Sequence, residues 1–402
     1  MNNIKLDFPI LDKKIRDKAI TYLDSAASTQ KPKQVINSIS EFLENSYENV
    51  HRGMNSLSID ATDLYEKSRD VAKNFINSNS TNEIIFTRGA TDSINIIANS
   101  LAEHLKEGDK IVVTELEHHS NYLPWMNLCK KLGLELKIIP ISKDGILSEE
   151  DIINNCDDFT KVLSLTHMSN VTGQILDIKK IKKSINKDTY VAVDGCQSIA
   201  HLKIDVKDLD CDFYSFSSHK LYGPSGIGIM YGKEDILNKL NPPTLGGGMI
   251  NEVSSNDFSY AMLPNKFEPG TPSIEAAIGF KTAMEYLNNN NYQDYFLNEK
   301  KLRSTLIKAL SEFKEVDIYG SNEDGNATSI VSFNIKNQNF NDIATFLDQY
   351  GIMIRGGHHC CQPFMKKLGI PGSCRVSFGI YNDLNDIDHF IDSLKKTLKL
   401  LQ

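Results

Sequence analysis

The chain has 402 residues, 40% hydrophobic and 24% charged, enough for two or three domain-sized units and typical of a soluble globular protein. Its net charge of -8 argues against nucleic acid as the main partner and leaves no basic face for an anionic membrane. No apolar run approaches the ~18 residues of a membrane span.

In chain order, the N-terminus lacks the apolar core of a signal peptide and the Arg/Ser-rich look of a transit peptide. The expected compartment is the cytoplasm. Short β-branched runs predict strands at Glu83–Phe86, Lys110–Thr114, Glu135–Pro140, Lys161–Thr166, Tyr190–Val193, Phe213–Phe216 and Gly226–Tyr231. Helical patterns fall between most of them, as at Thr91–His104, Asn121–Leu132 and Ile178–Ile185. That alternation predicts an α/β fold with a largely parallel sheet, whose ligands sit at the carboxyl ends of the strands. From Asn241 to Thr271 the pattern breaks into a Gly/Pro/Asn-rich loop, and a helix follows near Ser273–Leu287. The rest reads as a smaller α+β unit: a helix at Glu299–Phe313, strands near Thr328–Asn334 and Ile352–Arg355, and a final helix at Asp386–Leu400. Seven widely spaced cysteines without a Cys-x-x-Cys fit free thiols in a reducing compartment.

The run Asp212-Phe-Tyr-Ser-Phe-Ser-Ser-His-Lys220 carries the sharpest chemical signal. A lysine at the mouth of a buried strand is costly unless its amine is used, and burial favours the free amine that attacks a carbonyl. The plain alternative is a surface lysine after a strand. Four segments add what pyridoxal phosphate requires. Asp194 ends a buried strand, where a carboxylate can pair with the pyridinium nitrogen; the plain alternative is a turn or cap aspartate. Gln197 is placed to donate to the phenolic oxygen. Gly89-Ala90-Thr91 opens a helix after a strand and forms an anion site from N–H groups and a hydroxyl, or else a simple cap. Ser217 and His219 can add phosphate donors. His118 follows a strand, where an imidazole can stack on the ring and shuttle protons. Chelation by His118 and His119 is not expected, because adjacent side chains in extended structure face opposite ways. Asn170 puts a carboxamide at another strand end.

A second anchor is Ile352-Met-Ile-Arg355-Gly-Gly-His358-His359-Cys360-Cys361. Thiolate is the reactive form, and adjacent imidazolium groups lower a thiol's pKa. The two glycines are expected to let the loop swing Cys360 towards a substrate. Metal binding by the cluster is the alternative, but four consecutive ligands do not readily close one tetrahedral site, so no metal is expected. Arg375 can clamp a substrate carboxylate, or else form a surface ion pair.

Together these motifs resemble the pyridoxal phosphate-dependent cysteine desulfurases of the class V aminotransferase superfamily, most closely the SufS-type branch. The resemblance runs from Tyr22-Leu-Asp-Ser-Ala-Ala27 and Asn49-Val-His-Arg52 to Cys374-Arg375. It implies fold type I: a large domain with a mostly parallel seven-stranded sheet, 21–288, and a smaller α+β domain, 289–402, carrying the nucleophile loop. An N-terminal arm, 1–20, would pack on the small domain. It implies a homodimer in which Lys220 is the Schiff-base lysine and Cys360 the persulfide-forming nucleophile. Asp194, Gln197, His118 and Asn170 would contact the ring. Ala90, Thr91, Ser217 and His219 would hold the phosphate, joined by Thr271 from the partner subunit. Arg375 would take the substrate carboxylate, helped by His51 and Arg52. L-Cysteine would become L-alanine, with sulfur passed to an acceptor of the SufE or SufU kind for iron–sulfur cluster assembly. Cys361, Cys196 and Asn55 depart from the usual pattern, and Cys361 could resolve or protect a persulfide. The rival readings are a selenocysteine lyase on the same scaffold and a catalytically silent assembly scaffold.

Overall fold

The computed structural model describes residues 4–320 and 326–401. The β-branched runs assemble into one sheet: β1 Ile84–Thr87, β2 Lys110–Thr114, β3 Glu135–Ile139, β4 Thr160–Thr166, β5 Tyr190–Asp194, β6 Phe213–Ser217 and β7 Gly228–Gly232. Their order is β1-β7-β6-β5-β4-β2-β3. Only β7 runs against its neighbours. The inner strands are buried on both faces, which is why they read as continuous apolar runs rather than alternating ones. The edge strand β3 is half exposed and carries Glu135 and Lys137 towards solvent, which discourages pairing with another chain.

Because β1, β2, β4, β5 and β6 point the same way, their carboxyl ends share one edge of the sheet. On one side lie helices α1 (Lys33–Asn45) and α2 (Ser56–Phe75), packed on a later helix, Ile274–Asn289. Asn55 caps α2, its side chain accepting the Ser58 N–H at 2.9 Å. Helix α3 (Ala90–Leu101) starts directly after β1, with Gly89 at φ +146 making the turn.

The C-terminal sheet contains β8 (Val316–Tyr319), β9 (Ile330–Ile335), β10 (Arg355–Gly357) and β11 (Ser373–Ser377), in the antiparallel order β8-β9-β11-β10. Helices Tyr292–Leu310 and Leu384–Leu401 cover it through Leu302, Leu306, Phe333, Phe390 and Leu394. The first of these begins seven residues earlier than the expected Glu299, since Asn291 adopts φ +51 and opens the helix directly after the preceding one. The strand expected at Ile352–Arg355 splits in two. Ile352–Met353 pairs in parallel with Thr21–Tyr22, and Arg355 moves on to pair with β11. The expected loop between Asn241 and Thr271 contains a hairpin, Ile250–Val253 with Phe258–Tyr260.

Near the N-terminus, Phe8 packs edge-on against Tyr222, Tyr286 and Tyr381, and Lys5 bonds Asp386 at 2.9 Å. The first three residues of the expected arm and the last residue of the chain lie outside the described residues. Among the described residues, no helix is long and apolar enough to cross a membrane.

Candidate functional site

Five strand ends meet the small sheet at one cavity. β1 leads into Ala90 and Thr91, β2 to His118, β4 to Asn170; β5 ends in Asp194, and β6 ends in Ser217 and leads to His219 and Lys220. Arg355, His359, Cys360 and Arg375 close it from the small sheet. The cavity is about 270 Å³. Gln197, Thr271, His51 and Arg52 are not among its lining residues. Gln197 is buried beside it, whereas Thr271, His51 and Arg52 are exposed on the chain's surface.

Lys220 sits in the single turn Ser218–Lys220 and is half-buried. Among the described residues, its amine has no hydrogen-bond or ion-pair partner. Asp194 is 5% exposed, and its Oδ1 accepts the Cys196 N–H at 3.0 Å. Gln197 donates Nε2 to the Ala26 carbonyl at 2.8 Å, which leaves Oε1 buried without a partner. The side chain therefore presents an acceptor, not the donor expected of it. His118 accepts the Ser120 N–H through Nδ1 at 3.1 Å, so its neutral ring carries the proton on Nε2. Burial first, and then the Lys220 charge, push its pKa down to about 4.

Beside His118, Ser120 also meets Thr91, hydroxyl to hydroxyl at 2.7 Å, and the Ala90 N–H donates to Ser217 Oγ at 2.8 Å. A Cβ on Gly228 would come within 2.6 Å of the Gly89 Cα, so glycine is what lets β7 approach this turn.

The nucleophile loop is held, not loose. Gly356 and Gly357 belong to β10, and a Cβ on Gly356 would reach the Phe340 carbonyl at 3.0 Å. Gly356 serves close strand packing and Gly357 the backbone angle of φ +140, so the expected swing meets a glycine pair already fixed in a strand. His359 and Cys360 both adopt left-handed backbone, φ +52 and +53, which is strained for residues with a Cβ. Elements of the large sheet over-determine that conformation. The His119 N–H donates to the Cys360 carbonyl at 2.7 Å, and Asn170 Nδ2 donates to the His359 carbonyl at 2.8 Å. The Cys360 N–H donates to His358 Nδ1 at 3.1 Å. Cys360 is exposed. His359 is not the imidazolium expected beside it: burial and Arg375 push its pKa down to about 2. Cys361 is 0% exposed with its sulfur against the Glu115 carbonyl, and burial pushes its thiol up. Its side chain packs in the core of the large domain.

Asp24 and Arg355 went unassigned in the sequence. Arg355 and Arg375 are direct cross-strand partners, an unfavourable like-charge pairing. The Asp24 carboxylate lies between them, 2.8 Å from Arg355 Nη2 and 3.2 Å from Arg375 Nη2. Arg375 is 2% exposed and also donates Nη1 to the Asn170 carbonyl at 3.0 Å. Its Nε has no partner. The guanidinium is thus held in place by Asp24 and the Asn170 carbonyl.

The neutral histidines give the fold a pH dependence. His167 is also buried, and burial pushes its pKa down to about 4. Below the ordinary histidine value of 6.5, the unfolded chain binds protons that His167 and His359 refuse in the fold. Stability is therefore full above pH 6.5 and falls as pH drops towards 4, by about 1.4 kcal/mol per pH unit for each ring. A melting temperature several degrees lower at pH 5 than at pH 7 is expected; an unchanged one contradicts the burial of these rings as neutral groups.

Comparison with known proteins places this geometry. The aminotransferase class-V family matches residues 21–390. A probable cysteine desulfurase of Staphylococcus epidermidis is 44% identical over 393 residues, covering 97% of this chain and 95% of the relative. One from Staphylococcus aureus is 43% identical over 399 residues, covering 99% and 96%. Among solved structures, an apo cysteine desulfurase from Thermococcus onnurineus superposes with a TM-score of 0.94 at 36% identity, covering 99% of this chain and 98% of that one. The S-sulfonic acid form of the cysteine desulfurase CsdA from Escherichia coli gives 0.91 at 32%, covering 100% and 99%.

Proposed function

This chain belongs to the aminotransferase class-V family and is a pyridoxal phosphate-dependent cysteine desulfurase, and from that premise we propose that Cys360 is the thiol that takes the sulfur of L-cysteine. The observation that carries the proposal is the loop: an exposed thiol in strained backbone, pinned by His119 and Asn170 at the mouth of the cavity that holds Lys220 and Asp194.

The residues present fit the cofactor. The cavity offers a half-buried amine with no partner among the described residues, a buried carboxylate, and the hydroxyls of Thr91, Ser120 and Ser217. Among the described residues, His359 Nδ1 and Arg375 Nε are buried without a hydrogen-bond partner, on residues that line the cavity. Lys220 would anchor the aldehyde, and Asp194 would pair with the ring nitrogen. Ala90, Thr91, Ser217 and His219 would hold the phosphate. When bound, the cofactor supplies the electron sink that lets the Cα–H and then the C–S bond of cysteine break.

The chain's own residues supply the rest. Arg375, which lines the cavity, would take the substrate carboxylate and hold the amino acid in one orientation. The Lys220 amine removes the Cα proton. His118, neutral and protonated on Nε2, would stack on the ring and offer a donor there. Asn170 fixes both the Arg375 fork and the His359 carbonyl, so substrate and nucleophile share one support. The Cys360 thiolate attacks the substrate sulfur, the C–S bond breaks, and its electrons remain with the three-carbon fragment, which leaves as L-alanine after protonation. Sulfur stays on Cys360 as a persulfide until an acceptor thiol removes it.

A homodimer completes the site in this reading. Thr271, His51 and Arg52 lie outside their own chain's cavity and would serve the partner's. Met54 is 97%, Met262 82% and Val253 59% exposed, an apolar surface of the kind an interface covers. The acceptor would be of the SufE or SufU kind, feeding iron–sulfur cluster assembly in the cytoplasm. The chain would divide into an arm at 1–20, a large domain at 21–288 and a small one at 289–402. The experiment is to incubate holoenzyme with L-cysteine and a reductant. Alanine and sulfide should appear in equal amounts; alanine without sulfide, or pyruvate in its place, would sink the reading.

A further inference from the structure

Arg69 lies outside the cavity, yet it is 0% exposed and almost fully bonded. Its Nη1 and Nη2 grip the two oxygens of Glu268 at 2.6 and 2.9 Å. Its Nε donates to Glu66 Oε2 at 2.9 Å. Nη1 also donates to the Ile84 carbonyl at 2.8 Å, and the guanidinium lies 4.7 Å from the centre of the Phe86 ring. A buried, bidentate arginine of this kind fixes geometry on both sides of itself.

Its two carboxylate partners lead to two surface segments. Glu268 also takes the Phe86 N–H at 2.6 Å and the Tyr65 hydroxyl at 3.2 Å. Two residues on, Gly270 turns the chain at φ +87 and presents Thr271. Glu66, through its other oxygen, holds His51 Nε2 at 2.9 Å. His51 is itself strained, with φ +75, and its N–H is tied to Thr62 Oγ1 at 2.8 Å. Thus the segments carrying Thr271 and His51–Arg52, exposed and absent from their own cavity, hang from one guanidinium. Strain at an exposed histidine, stabilised from the core, marks a segment whose position matters.

We propose that Arg69 is a positioning residue that sets, from the core of one protomer, both segments this protomer lends to its partner's site. The inference rests on the shared-site dimer described above. Arg69 keeps Thr271 at the height of the partner's phosphate end and His51–Arg52 at its substrate mouth. It touches neither substrate nor cofactor, and its effect is felt in the other subunit.

Subunit complementation tests this. Arg69→Lys keeps the charge and loses the fork. As a homodimeric holoenzyme it should bind the cofactor at least tenfold more weakly, read from visible absorbance on dilution, and turn over about 100-fold more slowly. A purified heterodimer of an Arg69→Lys chain with a Lys220→Ala chain has one site with an intact lysine and an intact lending partner. It should recover about half of wild-type activity per dimer, and the cofactor affinity of that site. A heterodimer no more active than the Arg69→Lys homodimer overturns the proposal, because Arg69 would then act within its own subunit through Ile84 and β1. If Arg69→Lys does not fold, Glu66→Gln is used in the same cross; its side chain is 41% exposed. The KM for cysteine should rise in that homodimer and return in the heterodimer; an unrestored KM overturns the proposal. A monomer in sedimentation would overturn the shared-site reading itself, a different result from a dimer that fails to complement.

Discussion

Lys220→Ala is expected to leave a folded protein that lacks the visible band of the lysine–aldehyde linkage and turns cysteine over at least about 10⁴-fold more slowly, a loss of about 5 kcal/mol in barrier stabilisation. Lys220 has no structural partner to abandon: among the described residues its amine makes no hydrogen bond, and it sits in a short turn, half-buried. Its removal should therefore spare the fold while removing both the anchor of the aldehyde and the base for the Cα proton. Lys220→Arg separates the two from mere charge, because guanidinium cannot give up a proton at neutral pH. It should be as inactive as alanine. An active arginine variant, read by alanine formation, would show that Lys220 acts only as a cation.

Cys360→Ala should lower sulfide release by about 10³-fold or more, roughly 4 kcal/mol, with the visible absorbance unchanged. Exposure keeps the stability cost within about 0.5 kcal/mol, since alanine meets the same backbone strain as cysteine. Cys361→Ala should do the reverse. Its sulfur is packed at 0% exposure against the Glu115 carbonyl, so activity stays within a few-fold while stability drops by about 1 kcal/mol. Selenocysteine separates the remaining rival. Selenium leaves carbon more readily than sulfur, so a selenocysteine lyase would keep its activity in Cys360→Ala. Equal loss on both substrates marks the thiol as the acceptor of either element; intact cysteine turnover in Cys360→Ala would remove the nucleophile from the account.

Much of this site is legible in the chain because the chemistry sits where strands end. A buried parallel strand reads as an apolar run, and the first polar residue after it, Asp194 or Ser217 for example, lies at the carboxyl edge by construction. The motif around Lys220 and the Arg-x-Gly-His-His-Cys run then name the reaction. What the chain conceals is long-range pairing. Asp24 meets Arg375 across 351 positions, and no local pattern announces that contact. The same holds for the rigidity of the nucleophile loop. Two glycines before a thiol read as freedom, but a neighbouring carbonyl occupies the space a Cβ would need at Gly356, and bonds from His119 and Asn170 fix the turn. The neutral state of His359 is likewise a product of burial and of the Arg375 charge, which sequence proximity to Cys360 cannot express. The hairpin at Ile250–Val253 hides in a Gly/Pro/Asn-rich stretch because, lacking a buried face, it shows no apolar alternation.

The central claim is that sulfur moves from cysteine to Cys360 and to no other thiol of this chain. The direct measurement is mass spectrometry of the holoenzyme after brief exposure to L-cysteine without reductant, followed by alkylation and peptide mapping. The account predicts one added sulfur atom on Cys360 in the peptide that contains His358 to Cys361, and none on Cys196 or Cys361. Sulfur found on Cys361, or alanine produced with no sulfur on any cysteine, would contradict it.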